Sequence, residues 1–277
     1  MKNAFDFNKN KYTIEDLLLI MKMLRSEKGC PWDKEQTHKS IRHNFLEETY
    51  EALEAIDSED PVLLKEELGD VLLQIVFHSQ IEDEKGVFTF SDVADGICKK
   101  LIVRHPHIFK NVKAKDSAEV LSNWDEIKFK TKGIKSQSES MEKIPKVYPA
   151  LMKSQKVQEK AKKAGFDWEN IEGAFDKVAE ETSELKHALL EEDAKKISDE
   201  LGDLLFSVVN VARFCKMDAE TALSKSTDKF VKRFTLLEGL ANESGKSLKE
   251  MSPKDIDELW EEVKEVHNKD LLANPLG

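Results

Sequence analysis

Residues 45–70 read FLEETYEALEAIDSEDPVLLKEELGD, and the spacing of their acids decides the fold. Glu47, Glu48 and Glu51 are followed by fifteen residues and then by Glu67 and Asp70, the pattern EExxE(x15)ExxD. The pattern returns in VAEETSELKHALLEEDAKKISDELGD, where Glu180, Glu181 and Glu184 precede Glu200 and Asp203, every position displaced by 133. Both ends of each stretch read as helix, on which residues three or four apart share a face. Glu48 therefore projects with Glu51, and Glu67 with Asp70. An antiparallel hairpin centred on residue 59 sets 48 opposite 70 and 51 opposite 67. That centre falls in Asp57-Ser58-Glu59-Asp60-Pro61, a turn-forming run. In the second copy the centre is residue 192, inside Glu191-Glu192-Asp193. Two hairpins thus gather four carboxylates each.

Four facing carboxylates repel one another unless a cation compensates them. Oxygen donors with no Cys or His at matching spacing select a hard ion, Mg2+ first and Mn2+ second. The competing reading is a pair of solvated acidic helix faces. Two features oppose it: Asp70 and Asp203 run directly into the apolar segments VLLQIVF and LLFSVV, and Gly69 and Gly202 stand mid-helix. A glycine there costs about 1 kcal/mol against alanine, which points to close approach of a bulky group.

The 277 residues suffice for two domains. Charged residues make up 35%, the net charge is -11 and the pI is near 5.3, a balance that disfavours a nucleic-acid polymer as partner. Cys30, Cys98 and Cys215 are scattered, which fits a reducing compartment without disulfides or a zinc site. The N-terminus MKNAFDFNKNKY has no apolar core, and no run approaches a membrane span. A soluble, cytoplasmic chain is expected.

Further landmarks recur in order. Gly29-Cys30-Pro31-Trp32 has a counterpart in Gly165-Phe166-Asp167-Trp168, and Lys100 with Arg104 in Lys229 with Arg233. Trp124 with Lys128 returns as Trp260 with Lys264. The chain therefore reads as all-α, a tandem duplication of one helical domain: residues 1–130, a polar Ser-rich linker 131–147, and residues 148–277. No histidine pair has ligand spacing; His105 and His107 flank a proline and read as turn residues.

Each half combines a carboxylate cluster, a Lys-xxx-Arg pair and an aromatic-xxx-Lys pair. A nucleoside triphosphate matches that set: a metal neutralises phosphate oxygens, Lys and Arg bind the others, and an aromatic ring covers the base. No glycine-rich phosphate loop occurs. The bland alternatives are a solvated basic face for Lys229 and Arg233 and core packing for Trp260.

EExxE followed by ExxD, together with CPWDKEQTH (30–38), ELGDVLLQIVFH (67–78), RHPHIF (104–109), KAGFDW (163–168), ELGDLLFSVVNVAR (200–213) and KFVKRF (229–234), resembles the all-α nucleoside triphosphate pyrophosphohydrolases, in particular their two-domain MazG branch. The resemblance covers nearly the whole chain. It implies hydrolysis of nucleoside triphosphates to monophosphate and pyrophosphate with Mg2+ by a homodimer whose helices assemble into bundles. It also implies loose base selectivity and a housekeeping or stress-response role. Carried over by motif, Glu181, Glu184, Glu200 and Asp203 are the metal ligands of the main catalytic half, with Glu48, Glu51, Glu67 and Asp70 their N-terminal counterparts. Lys229 and Arg233 take the phosphates, Trp260 and Lys264 close the site, and Lys196 and Trp168 are further substrate contacts. Glu180 or Glu181 orients the water that attacks the α-phosphorus. The N-terminal half departs where His-Pro-His interrupts the helix after Arg104.

Three other readings remain at this level. A di-iron bundle requires Glu-x-x-His pairs, which are missing here. A metal-binding scaffold or regulator predicts metal-dependent stability without turnover, and a dUTP- or dCTP-specific pyrophosphatase differs only in base preference.

Overall fold

The computed structural model describes residues 9–110, 116, 120, 124, 127, 129, 131 and 133–273. Among them there is no strand, and the chain is a tandem all-α fold. It divides into two compact units, Met1–Lys128 and Phe129–Gly277.

The first unit contains α1 (Ile14–Leu24), α2 (Pro31–Glu35), α3 (Arg42–Asp57), α4 (Pro61–Glu84), α5 (Phe90–Arg104) and α6 (Pro106–Phe109). α3 and α4 form the expected hairpin, and α1 and α5 pack on α4. Met21, Ile41, Val76, Phe77 and Ile81 are the buried core, with Leu17, Leu18 and Leu73 against it. The apolar run after Asp70 therefore supplies the core, as its composition predicts. Arg25 holds the intervening loop: its guanidinium forms a bidentate pair with Glu84 (2.8 Å each), donates to the Gln36 and Asp33 carbonyls, and lies 5.2 Å from the Phe77 ring centre. The Arg25 bonds hold the Glu84 carboxyl below its usual range. A second tether joins His38 to His78 (2.7 Å) and to Glu82 (2.5 Å), a contact hidden in the sequence because its members are forty residues apart. Arg104 is buried under the Trp124 ring, 4.7 Å away, while Lys128 and most of the helix expected over 118–130 lie outside the described residues.

The second unit contains α7 (Gln137–Glu142), α8 (Ala150–Lys163), α9 (Ile171–Leu190), α10 (Ala194–Phe214), α11 (Ala219–Glu243) and α12 (Pro253–Ala273). α9 and α10 are the second hairpin; α8 packs on α10 and α11, and α11 on α12. The Ser-rich stretch expected as linker is partly ordered against this unit. Ser136 caps α7 through Glu139 N–H (3.1 Å), buried Ser140 accepts from Lys160 Nζ, and Ile144 is buried. Serine suits a cap as well as a flexible spacer, so composition does not separate the two. Unlike its counterpart on α4, the apolar run after Asp203 leaves Leu205 and Val208 exposed.

Both hairpins turn where the pairing arithmetic centres them. Glu59 and Glu192 each take φ 55°, the left-handed conformation, at the apex. The next residue caps the returning helix: Asp60 accepts from Val62 and Leu63 N–H (2.8 and 3.1 Å), and Asp193 from Lys195 and Lys196 N–H (3.0 and 3.2 Å). Because capping oxygens satisfy otherwise orphaned amides, Asp193→Ala is expected to cost about 1 kcal/mol of stability. Urea denaturation of the whole chain measures that loss, and an unchanged midpoint refutes it.

Candidate active site

In the second unit the hairpin brings Glu180, Glu181 and Glu184 of α9 together, and joins Glu181 to Glu200 and Asp203 of α10. One oxygen from each member of either set lies within 4.8 Å of the others. Glu181 belongs to both sets and is 4% exposed. A carboxylate that deeply buried requires a cation. Here the cation is Lys177, one turn earlier on α9, whose Nζ sits 2.6 Å from Glu181 and 2.8 Å from Glu180. These two bonds raise the Lys177 pKa, so it stays charged. Burial and then the neighbouring charges of Glu181, Glu200 and Glu180 raise the Glu184 pKa.

Of these acids Glu181 and Asp203 line a cavity of about 570 Å³, together with Lys177, Gln158, Arg213, Phe206 and Trp168. The loop between α8 and α9 contributes Gly165, Phe166, Asp167 and Trp168 to its lining. Gly165, at φ +86°, lets the chain leave α8. Asp167 then clamps the loop by a two-bond pair with Arg213 of α10, with Lys162 3.4 Å away. Desolvation pushes the Asp167 carboxyl up, and the Arg213 and Lys162 contacts outweigh it, leaving the pKa below its usual value.

The first unit repeats the acids, but a cavity of about 210 Å³ there is lined by Leu18, Val76, Ser79, Phe90 and their neighbours and by none of the clustered acids. Glu48, Glu51 and Glu67 meet within 4.8 Å. Asp70 stands outside that set, but its charge acts on both Glu48 and Glu67. Burial first, then the facing acids, raises the pKa of both glutamates. The position of Lys177 is held by Asn44, and the Gln74 amide donates to Glu48 at 3.5 Å.

All three acid sets consist of carboxylates alone, the donor chemistry of a hard divalent ion. Oxygens around such an ion, bound at about 2.1 Å, are at most about 4.2 Å apart. Small side-chain adjustments of the observed clusters meet that geometry, so the residues fit Mg2+ or Mn2+.

The other expected site residues are distributed more widely. Trp168 reaches the cavity, whereas Lys196 turns to Glu191 (2.5 Å) at the hairpin apex. Lys229 and Arg233 lie on α11 and do not line the cavity. Trp260 of α12 packs 5.6 Å from Phe230 of α11, while Lys264 pairs with Glu261 one turn earlier on its own helix. A Cβ at Gly69 or Gly202 would meet nothing within 4 Å, so the bulky neighbour expected there is not supplied by the described residues. Lys177, Asp167 and Arg213 were not singled out by sequence reading. The available signal for Lys177 was its i, i+3 and i, i+4 spacing to Glu180 and Glu181, which also describes an ordinary surface pair.

Comparison with known proteins agrees with this duplication. The MazG nucleotide pyrophosphohydrolase domain matches twice, over residues 36–109 and 170–237. Both matches contain an acid hairpin and a Lys-xxx-Arg pair, while Trp168 and Trp260 fall outside them. A Thermotoga maritima protein named nucleoside triphosphate pyrophosphohydrolase/pyrophosphatase MazG is 45% identical over 250 residues, covering 90% of this chain and 95% of its own length. An Escherichia coli K12 nucleoside triphosphate pyrophosphohydrolase is 42% identical over 254 residues, covering 91% and 97%.

The raised carboxyl pKa at Glu184 has a definite sign in stability. The folded state binds a proton there more tightly than the unfolded chain, so this contribution weakens as pH rises above the ordinary value of 4.5. Glu184→Gln removes the titration. In EDTA, the stability difference between variant and wild type is expected to move in the variant's favour from pH 5 to pH 7.5. Denaturant titrations at the two pH values check this; a pH-independent difference contradicts it.

Proposed function

The chain belongs to the MazG nucleotide pyrophosphohydrolase family, and from that premise we propose that its second unit hydrolyses nucleoside triphosphates to monophosphate and pyrophosphate. The observation that carries this reading is Glu181, buried, common to both acid sets and on the cavity wall. Glu181, Glu184, Glu200 and Asp203 would hold Mg2+, or Mn2+ in its place. Bound there, the ion lowers the charge on phosphate oxygens and the pKa of a coordinated water.

The chain's own residues have distinct tasks. Glu180, exposed and free to reorient from Lys177, or Glu181, fixed by burial, orients the water and accepts its proton. The water oxygen bonds to the α-phosphorus as the bond to the bridging oxygen of the β-phosphate breaks, and pyrophosphate leaves. Lys177, held by Glu180 and Glu181 on the cavity wall, would turn to a phosphate oxygen once the charge of those carboxylates is otherwise compensated. Lys229 and Arg233 stabilise charge on the departing pyrophosphate.

The last assignment calls for a homodimer, because Lys229 and Arg233 do not line the cavity within one chain. Leu201, Leu205 and Val208 form an exposed apolar stripe on α10 at helical spacing, and Leu223, Phe230 and Phe234 are exposed on α11. A second copy covers such faces, brings the α11 cations and the Trp260–Lys264 helix to the acids, and fills the space over Gly202.

The domain division at 131–147 belongs to the same reading, with the first unit a metal-binding copy of secondary catalytic weight. Broad base acceptance follows because carboxylates and cations hold the reacting end without touching a base. A housekeeping or stress role in the cytoplasm suits such an enzyme. No helix among the described residues is long and apolar enough to cross a membrane.

With Mg2+, the full chain is expected to release pyrophosphate and monophosphate from ribo- and deoxyribonucleoside triphosphates, and EDTA is expected to stop it. Glu184→Ala and Asp203→Ala should each lower kcat at least about 100-fold, the scale of removing one charge-stabilising group. A full rate in either variant removes that residue from the reaction. Metal-dependent stability without pyrophosphate would favour a scaffold, and turnover confined to dUTP or dCTP a base-specific enzyme.

A further inference from the structure

We infer that His38 and His78 form a one-proton lock that fixes the loop between α2 and α3 to α4 of the first unit, and that it opens when acid places a proton on both rings. The inference stands apart from the proposed triphosphate reaction and uses none of the clustered acids.

The geometry is that of a shared hydrogen. The two Nδ1 atoms are 2.7 Å apart, the ring planes differ by 6° and the ring centres are 5.0 Å apart. Rings stacked face to face cannot bring two nitrogens that close. The imidazoles therefore lie edge to edge, nearly in one plane, with the lone pair of one nitrogen directed at the N–H of the other. Glu82, one turn after His78 on α4, accepts from His38 Nε2 at 2.5 Å. A carboxylate only accepts, so that nitrogen carries a hydrogen. With His38 neutral its Nδ1 is then bare, and His78 Nδ1–H fills the gap. One added proton keeps the bridge, because a single hydrogen can still lie between the two Nδ1 atoms, the neutral ring moving its own to Nε2 where needed. A second proton sets N–H against N–H and charge against like charge, and the contact becomes repulsive.

Few other charges reach the pair. Lys85 shares the Glu82 carboxylate (2.6 Å), and its bond, with that of His38, holds the carboxyl below its usual range, so the anchor stays charged in mild acid. From α3 the pair meets the edge of the Phe45 ring, while His43 and Glu47 of that helix pair with each other (3.0 Å). Arg25, which follows α1, is taken by Glu84, and Asp92 of α5 accepts from the Thr89 amide (2.8 Å). Among the described residues His38 is the one charge that acts on His78, whose pKa is lowered by burial first and by His38 second. A ring that resists its proton when folded contributes stability in full above the ordinary value of 6.5, and that contribution is lost as pH falls below it through the folded value.

His38 lies between exposed Trp32 and buried Ile41, just before α3, the helix of Glu48 and Glu51. Arg25 holds the other end of the loop through the Asp33 and Gln36 carbonyls, and its partner Glu84 keeps its charge in mild acid. Acid therefore frees the entry to α3 and leaves the Arg25 clamp in place. Val211 and Cys215 stand at the displacements of His78 and Glu82 in the second unit, so the lock belongs to the first copy alone.

Hydrogen exchange read by mass spectrometry on the full chain, at pH 7.5 and pH 5 and corrected for the intrinsic pH dependence of exchange, tests the lock. The reporters are the Ile41 and Phe45 amides, which donate to the Thr37 and Ile41 carbonyls (3.2 Å each). Residues 37–45 are expected to lose protection at pH 5 relative to the α9–α10 hairpin. In His78→Gln, where an amide replaces the titrating ring, that loss is expected to disappear. His38→Gln removes the other ring and serves should His78→Gln not fold. Equal relative protection of 37–45 in wild type at both pH values, or the full loss retained in a glutamine variant that folds, overturns the lock.

Discussion

Four carboxylates that must face one another are the constraint on which each half of the molecule is arranged. The antiparallel hairpin draws acids of both helices into sets of three, and burial first, then the like charges, raises the pKa of Glu48, Glu67 and Glu184. The backbone accepts a left-handed apex at Glu59 and at Glu192 to make the turn, and an aspartate cap follows at once in both. A change of one residue in the fifteen between the acid pairs would rotate one helix by about 100° against the other and scatter the cluster. The spacing, more than any single side chain, is what the duplication has kept.

On that shared frame the two units solve the compensation differently. In the second, Lys177 reaches into the cluster and Glu181 can be buried; in the first, Asn44 offers no charge and all three clustered glutamates keep some exposure. Beside the cluster, size decides the rest. Phe77 is buried in the core of the first unit, whereas Asn210 stands at the same displacement in the second and lines the cavity. Removing large apolar side chains from a packed interior leaves space unless the backbone collapses. The Asp167–Arg213 clamp and α7 against α8 keep that space from closing.

The acids, caps and hairpins were legible because each depends on neighbours within one or two helical turns. Lys177 was not, since an i, i+4 pair to an acid reads the same on a solvated helix as in a buried cluster. Trp260 was expected to close the nucleotide site and Trp168 to be a further contact, yet Trp168 lines the cavity and Trp260 rests on Phe230. The serines at 136 and 140 looked like spacer and proved to be a helix cap and a buried acceptor. His38, His78 and Glu82 carried no local pattern at all.

Periodicity, capping and turn chemistry are local, and local rules repeat when a sequence is duplicated. The sequence by itself therefore determined the all-α class, the two hairpins, the two acid clusters and their preference for a hard cation. Tertiary structure alone decided which copy sets its acids on the 570 Å³ cavity, which carboxylate is buried, and which tryptophan lines that cavity. Those outcomes depend on the joint volume and charge of side chains from three or four helices, which no spacing along one of them encodes.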